Sequence, residues 1–477
     1  MKYGLQVFGA VALVAGLFLL AETHPVYVGN VTLLGGLLML EAVLVAVWFY
    51  DKWFFLILML AFLWAGSSLP FSEAGSAARW VFLVVGGVVG VFKWGARRDK
   101  QSFFAIHLVA LLCIVSALAS GMVSTKMQLS MLKSSSFLLL FLYASCGARV
   151  AVANRESTFF RGLVTACEAV SFFSGFCYVL LRFPLFGNPN SLGAIMGVAI
   201  IPILSWGLLI MDERTYRHRR TLALCVAVYL LLTSASRAGL LASAVTVTVM
   251  CLMLGRSKLL AKGALAVAFL IAVLGVIQPA EVSSLVSSLT EQLVYKGKIE
   301  QGLLGSRKTP WQDTVSVIKD SPWFGSGFGT DRIAGPAVSD SMYRTIEGSG
   351  REHGSSYMAL LQFVGLLGVV PFAILLLLVF SGTVRTCAWM RRTRNPHNYA
   401  IPLAMVCLAG LIHATFEDWM FAAGYHLSLF FWTSAFLLSD FLPRRANSTS
   451  FAVNAARRPV AIDSQVAALA NQDAFIH

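Results

Sequence analysis

Apolar stretches long enough to form membrane helices recur along the whole chain, separated by short polar or charged breaks. A bilayer core about 30 Å thick is crossed by a helix of about 20 apolar residues. Cutting the chain at these breaks predicts about fourteen helices. The eighth to eleventh are the least certain to divide, since 233–239 is a short polar break rather than a loop, so twelve or thirteen helices also fit the pattern. The approximate segments are 5–21, 30–50, 53–69, 79–95, 103–120, 134–152, 160–181, 191–211, 220–236, 238–255, 259–278, 355–381, 399–415 and 424–442. We therefore predict an all-α fold, a polytopic membrane helix bundle of about 12–14 transmembrane helices.

The positions of Lys and Arg predict how this bundle is oriented. They concentrate at every second break, within 93–100, 149–161, 214–220, 256–262 and 385–394, and in the tail after 442. Because cytoplasmic loops carry an excess of Lys and Arg, this phase predicts that both termini are cytoplasmic. The first segment also fits a signal peptide, and either interpretation places residues 22–30 outside.

The breaks also divide the chain into three predicted parts. Residues 1–185 are N-terminal transmembrane helices, and residues 186–445 are a core that includes one large outer loop, 279–354, with short helices of its own. The tail at 446–477 has too little apolar surface to fold alone, so we predict that it is disordered in the cytoplasm.

Composition excludes a soluble enzyme. Residues of the apolar set make up 57% of the chain and charged residues 13%, with a mean hydropathy of +0.74, whereas about a quarter of an average soluble domain is charged. The net charge of +14 comes from short loops between helices, so no nucleic-acid partner is expected. The eight cysteines lie in or beside apolar segments without a CxxC pair, so we predict no disulfide framework, no metal site and no cofactor.

The long loop contains one predicted amphipathic helix. Thr309 is the predicted N-cap, Pro310 occupies the first helical position and Gln312 completes a capping box. Its apolar face is predicted to carry Trp311, Val315 and Ile318. We expect this helix to lie along the membrane surface or to pack on the bundle.

A glycine-rich segment follows that helix. Pro322 ends the helix, and Gly325, Gly327 and Gly329 come at alternate positions. Such glycines permit a close approach of the backbone, and a turn of this kind can cradle a phosphate through its N–H groups. We favour a structural turn over phosphate binding. No GxxxxGK[ST] pattern occurs, so the sequence gives no support for ATP hydrolysis of the P-loop kind.

Two residues at the predicted outer boundary of the membrane are candidates for chemistry. His353 comes just before a helix, and histidine suits general-base work because its ordinary pKa lies near neutrality. Arg237 lies between two apolar runs, where a guanidinium is able to bind a diphosphate by paired hydrogen bonds. The alternatives are a solvated loop histidine and an arginine that extends to the interface.

A second polar cluster is predicted on the same face. It contains His413, Glu417, Asp418 and His426, and is a candidate site for an acceptor sugar. Glu417 or Asp418 as an alternative base, oriented by His413, is a further hypothesis, and packing or loop solvation is its alternative. Asn190, before the eighth segment, is the predicted N-cap of that helix.

Several short motifs occur together in the central part of the chain. They are Ser-Ala-Ser-Arg-Ala-Gly-Leu-Leu at 234–241, Gly-Ser-Arg-Lys at 305–308 with Trp311, Pro-Trp-Phe-Gly-Ser-Gly at 322–327, His-Gly-Ser-Ser-Tyr at 353–357 and Val-Gly-Leu-Leu-Gly at 364–368. In these motifs and their order, the sequence resembles the O-antigen ligase and polymerase family of bacterial envelope glycosyltransferases over roughly residues 190–380.

The resemblance implies an enzyme of the bacterial inner membrane that takes a glycan from undecaprenyl diphosphate and joins it to an acceptor hydroxyl at the periplasmic face. Ligases of the family use a sugar of the lipid A core as acceptor, and polymerases use another lipid-linked glycan. Neither nucleotide sugar nor metal is implied, and the expected partners are these donor and acceptor lipids and the membrane lipids.

The resemblance also implies roles for individual residues. The family's catalytic histidine matches His353, and its two diphosphate-binding arginines match Arg237 and Arg307. Lys308 and Arg351 flank these positions and are weaker candidates for phosphate contact. In the family an asparagine usually follows the motif histidine, whereas this chain has a glycine there.

A glycolipid transporter or flippase is the rival class. It would use Arg237 to bind substrate at mid-membrane depth and would often show internal repeats. The two halves of the chain show no convincing repeat, and Arg and His motifs in an outer loop favour an enzyme.

Overall fold

The computed structural model describes residues 23, 31–96, 103–210, 214–262, 265, 305–331 and 353–443. Within these ranges the regular structure is helical and contains no strand. The main helices are α1 (Val31–Trp48), α2 (Tyr50–Ala65), α3 (Ser72–Ala96), α4 (Ala105–Met122), α5 (Met127–Val152), α6 (Glu156–Leu180), α7 (Pro189–Leu209), α8 (Arg214–Thr233), α9 (Arg237–Met253), α10 (Gly305–Asp320), α11 (Ser356–Thr393), α12 (Ala400–His413) and α13 (His426–Phe441). The predicted all-α fold is confirmed.

The predicted apolar segments correspond well to these helices. Each predicted segment from 30–50 to 238–255, and each of the three after the long loop, overlaps one helix. Segment 5–21 and most of 259–278 lie outside the described residues, as do the tail and much of the long loop. The described residues up to Phe441 belong to one compact unit. The division of the chain at residue 185 stays a prediction.

Several helices are suited to crossing a membrane. Within the described part of the chain, six helices are long and apolar enough to cross a membrane: α3, α4, α5, α6, α7 and α11. Three shorter apolar helices are Gly35–Trp48, Arg237–Met253 and Ala400–His413. Outward-facing side chains of α4, such as Leu108, Leu111 and Val115, are exposed, as expected of a surface in contact with lipid. The chain is thus a polytopic helical membrane protein, and the total of 12–14 spans stays a prediction.

Two arginines of the bundle are held by buried ion pairs. Arg149 donates to both carboxylate oxygens of Asp440 at 2.8 and 2.6 Å, and Arg220 donates to Glu168 at 2.7 Å. Arg149 and Arg220 belong to the Lys- and Arg-rich stretches that the sequence predicts to be cytoplasmic. Since buried charges require paired partners, these ion pairs explain how the two arginines are accommodated in the bundle.

An aromatic cluster forms part of the core between α5, α11 and α13. Phe137 of α5, Phe372 of α11 and Trp432 of α13 are buried there. Phe328 of the glycine-rich segment inserts among them, with its ring centroid 5.4 Å from that of Phe137 and 6.2 Å from that of Phe372. The segment is therefore anchored in the bundle by a fully buried ring.

Two predictions about helix ends are wrong. Helix α10 begins at Gly305 rather than after a cap at Thr309, and Pro310 lies inside it. A proline near the start of a helix removes only one backbone hydrogen bond, so the helix extends further back. Likewise Asn188, not Asn190, caps α7: its side chain accepts the Asn190 N–H at 2.8 Å.

The predicted apolar face of α10 is also only partly correct. Thr314 and Val317 are buried, Trp311 is half-buried, and Val315 is 40% exposed. The helix packs on α11, so the buried face is the one that meets this neighbour rather than the one with the most apolar residues.

Candidate functional site

His353 is fixed by a carboxylate from a distant part of the chain. It lies three residues before α11, and Asp418 lies in the connection between α12 and α13. One oxygen of Asp418, Oδ2, lies 2.9 Å from Nδ1 of the imidazole and accepts the backbone N–H of His353, also at 2.9 Å. In a neutral imidazole this contact holds the proton on Nδ1, so that Nε2 carries the lone pair needed for general-base work.

A second carboxylate faces the other ring nitrogen. Nε2 of His353 lies 3.3 Å from Oδ2 of Asp331, whose side chain is only 1% exposed. Burial acts to lower the pKa of His353, but the hydrogen bond with Asp418 and the charges of Asp331 and Asp418 outweigh it and raise that pKa. Burial acts to raise the pKa of Asp418, and its contacts with His353 lower it. Asp331 was not predicted as a site residue, since its one signal in the sequence was its position just after the glycine-rich motif.

Arg307 lies beside this histidine. Its guanidinium forms an ion pair with Glu417, and both side chains are largely buried, at 13% and 17% exposed. Because Glu417 and Asp418 are consecutive residues, one short connection holds both Arg307 and His353. Two of the residues predicted from separate motifs are therefore neighbours in the fold.

Gly354 allows this close approach. Its φ of +69° lies in the left-handed region, which glycine adopts freely and asparagine tolerates better than most residues. A Cβ there would lie 3.1 Å from Cδ of Arg307 and 3.2 Å from Nε1 of Trp311. Gly354 thus adopts this backbone conformation without strain and leaves room for Arg307.

Arg237 is the first residue of α9. Ser236 caps that helix by accepting the Gly239 N–H at 3.3 Å, and Ala235 has a φ of +50° in the preceding turn. The positive charge of Arg307 is close enough to act on Arg237. The two predicted diphosphate-binding arginines therefore belong to one region of positive charge.

Hydrogen bonds of Ser356 hold the connection between α12 and α13, which contains Glu417 and Asp418. Its backbone N–H lies 2.9 Å from the carbonyl of Ala414 and 3.1 Å from that of Glu417, to which its hydroxyl also donates at 2.7 Å. The hydroxyl in turn accepts the backbone N–H of Met420 at 3.1 Å. The buried side chain thus fixes Glu417 and Asp418 relative to the start of α11.

The glycine-rich segment is a structural turn that docks on a break in α11. Gly365 interrupts that helix with a φ of +66°. The N–H groups of Ser326 and Gly327 donate to the carbonyls of Gln362 and Phe363 at 2.9 and 3.1 Å. Since these amides bond the helix, the phosphate-cradle alternative is not supported. The segment serves instead to place Asp331 against His353.

The turn between α4 and α5 supports the same segment from the other side. Ser124 donates to the Ser326 carbonyl at 2.8 Å, and Nζ of Lys126 donates to the Asp331 carbonyl at 3.1 Å. Lys133 likewise donates to the carbonyl of Gly329. No site residue was predicted in this region, because the local sequence of the α4–α5 turn does not indicate which distant loop the turn contacts.

We expect Gly325→Ala to destabilise the docked segment. Gly325 has a φ of +75°, and a Cβ there would lie 2.5 Å from backbone atoms of Phe363. The left-handed backbone alone costs roughly 1–3 kcal/mol for a non-glycine residue, and the clash adds to it. Thermal unfolding of the purified protein in detergent should show a lower Tm. Gly162→Ala, where a Cβ would meet nothing within 4 Å, is the matched control. A Gly325→Ala variant as stable as the control would contradict this docking.

The remaining candidates have other environments. Nδ1 of the buried His413 accepts the indole N–H of Trp419 at 2.8 Å, so the predicted pairing of His413 with Glu417 or Asp418 is not found. His426 is buried with its ring centroid 4.2 Å from that of Tyr425. Lys308 is exposed, and Arg351 lies outside the described residues. The functional roles assigned from the sequence stay predictions.

In a comparison with protein families, residues 221–373 match the family model described as O-antigen ligase. The matched segment includes Arg237, Arg307 and His353, together with the glycine-rich segment and Asp331. A comparison with curated proteins gives no match.

Proposed function

We propose that this multi-pass membrane protein is a glycosyltransferase of the O-antigen ligase type, because its residues 221–373 match the family model described as O-antigen ligase. It moves a glycan from undecaprenyl diphosphate to an acceptor hydroxyl at the periplasmic face of a bacterial inner membrane. The observation that carries the proposal is the family match over a segment whose His353 and Arg307 lie side by side, each held by a carboxylate.

His353 is the proposed base. Nε2 takes the proton of the acceptor hydroxyl while the hydroxyl oxygen attacks the anomeric carbon of the donor sugar. The bond from that carbon to the diphosphate oxygen breaks, and direct transfer inverts the anomeric configuration. Asp418 orients the ring by binding Nδ1 at 2.9 Å and stabilises the imidazolium that forms.

Arg237 and Arg307 are the proposed ligands of the leaving diphosphate. Negative charge develops on the diphosphate as the sugar leaves, and a guanidinium stabilises it most effectively in a site shielded from water. Glu417 fixes the direction of Arg307, so this group is oriented before the substrate arrives. Because the donor is already activated, the reaction consumes no ATP.

The acceptor distinguishes two versions of the proposal. A ligase joins the finished glycan to a lipid A core sugar, whereas a polymerase joins it to another lipid-linked glycan. The description of the matching family, O-antigen ligase, favours the first. Both versions require two lipid substrates to meet at the outer face, which fits a site placed at one end of the bundle.

Deletion of the chain from its host tests this proposal. We expect full-length glycan to remain on the lipid carrier if the protein is a ligase, and single repeat units to accumulate if it is a polymerase. In addition, the purified protein in proteoliposomes should release undecaprenyl diphosphate only when donor and acceptor are both present. Donor lipid retained on the cytoplasmic leaflet, with no release in proteoliposomes, would instead favour a flippase.

A further inference from the structure

The imidazole of His353 lies between two carboxylates, one at each ring nitrogen. Asp418 is 2.9 Å from Nδ1, and Asp331 is 3.3 Å from Nε2. The imidazole and both carboxylates are well shielded, with side-chain exposures of 4% for His353, 1% for Asp331 and 15% for Asp418. Little water is therefore available to separate these groups or to screen their charges.

This arrangement favours a proton on Nε2. A neutral imidazole that donates from Nδ1 has a lone pair on Nε2, and an ionised carboxylate carries only lone pairs. A negative charge 3.3 Å from that lone pair repels it in a buried site, whereas an imidazolium donates from Nδ1 to Asp418 and forms an ion pair with Asp331, although Nε2 is not aligned for a hydrogen bond. The geometry of the resting site is thus that of an imidazolium between Asp331 and Asp418.

The other charged groups described near the ring do not remove the preference for a proton on Nε2. Arg307, which packs on Gly354, is compensated by Glu417. Lys126 bonds the backbone carbonyl of Asp331 and helps to hold that residue in place. The edge of the Phe363 ring, whose centroid is 5.1 Å from that of His353, is apolar. Among the described residues, the two carboxylates are therefore the charged groups in direct contact with the ring nitrogens.

We propose that Asp331 is a positioning residue that retains a proton on Nε2 of His353 in the resting site, and so sets the pH above which His353 accepts a proton from the acceptor hydroxyl. The inference rests on the proposed function. In each turnover the proton on Nε2 first passes to bulk water, and Nε2 then takes the proton of the attacking hydroxyl. The imidazolium is thereby restored, and Asp331 stays ionised throughout.

The sign of the pH effect follows from the charges. Both carboxylates raise the pKa of His353, and the neutral ring is the active base, so transfer increases as the pH rises through that pKa. Removing the charge of Asp331 lowers the pKa, and the acidic limb of the pH profile should move to lower pH. An opposite charge at this distance shifts a pKa by about one unit or more, so we expect a shift of about one pH unit or more.

The test compares the full-length wild type with Asp331→Asn and with Asp320→Asn in proteoliposomes. Asp320 is exposed at the end of α10, so its variant makes the same chemical change away from the ring. The initial rate of transfer is measured from acidic to alkaline pH. We expect Asp331→Asn alone to move the acidic limb to lower pH. A uniform loss of rate at unchanged midpoint would mean that Asp331 is merely structural and would overturn the proposal.

A second measurement is independent of activity. The ¹⁵N resonances of the histidine rings are titrated in the same samples, and the signals of His353 are identified by their loss in His353→Gln. We expect Nε2 of His353 to lose its proton at lower pH in Asp331→Asn than in wild type, and an unchanged titration overturns the inference. If transfer is absent from wild type, the proposed function fails, and this titration still decides the role of Asp331.

Discussion

His353→Gln is expected to reduce the rate of glycan transfer by about 10²–10⁴-fold, the contribution that a well-placed general base makes to a reaction. Glutamine is polar and of similar length, so it leaves Asp331 and Asp418 with a hydrogen-bonding neighbour, but it cannot take the proton from the acceptor hydroxyl. The rate is measured in proteoliposomes at matched protein levels with saturating donor and acceptor.

His397→Gln is the matched control for this prediction. His397 is exposed in the connection between α11 and α12, so the same exchange there should leave the rate unchanged. Thermal unfolding of both variants separates a loss of catalysis from a loss of folded protein. A His353→Gln variant that transfers glycan at the wild-type rate would show that another group accepts the proton.

Arg307→Lys is expected to lower the rate of transfer by about 10²–10³-fold, the usual cost of removing one preorganised donor to a developing negative charge. Lysine keeps the positive charge, but it lacks the planar fork that binds a carboxylate or a phosphate through two parallel hydrogen bonds. The effect should fall mainly on kcat, because the charge to be stabilised develops as the diphosphate leaves.

Glu417→Gln tests how much the ion pair with Glu417 contributes to the proposed binding of the diphosphate by Arg307. This variant keeps the guanidinium but weakens the partner that directs it, so a smaller loss than in Arg307→Lys is expected. The double variant tests whether the two side chains act together, since contacting residues show non-additive effects. Arg392→Lys, at an exposed position near the end of α11, is the control. Equal rates in wild type and Arg307→Lys would remove Arg307 from the proposed diphosphate site.

The helices and the membrane class could be predicted from the sequence because they depend on local composition. A helix satisfies its own backbone hydrogen bonds, so a run of about 20 apolar residues is sufficient to indicate a membrane span. The ends of helices were predicted less well. Thr309 and Pro310 suggested a start for α10, which begins at Gly305 instead, and Asn188 capped α7 in place of Asn190.

Part of the candidate site could also be predicted from the sequence. Arg237, Arg307 and His353 were each singled out, either by an unusual position beside an apolar run or by the resemblance to a family. Their partners were not assigned correctly: Asp418 was considered as a base with His413, but it binds His353, whereas His413 binds Trp419.

The sequence by itself determined that this protein is a helical bundle in a membrane and which three residues are the best candidates for chemistry. Only the tertiary structure decided which carboxylates hold two of them, His353 and Arg307. Asp418 is 65 residues from His353, and Glu417 is 110 residues from Arg307. A contact across such a separation depends on how α10 to α13 and the glycine-rich segment pack together, and no local pattern of apolar and polar residues contains that information. The same packing brings Asp331 to the second nitrogen of His353, where it controls the proton that the proposed reaction requires.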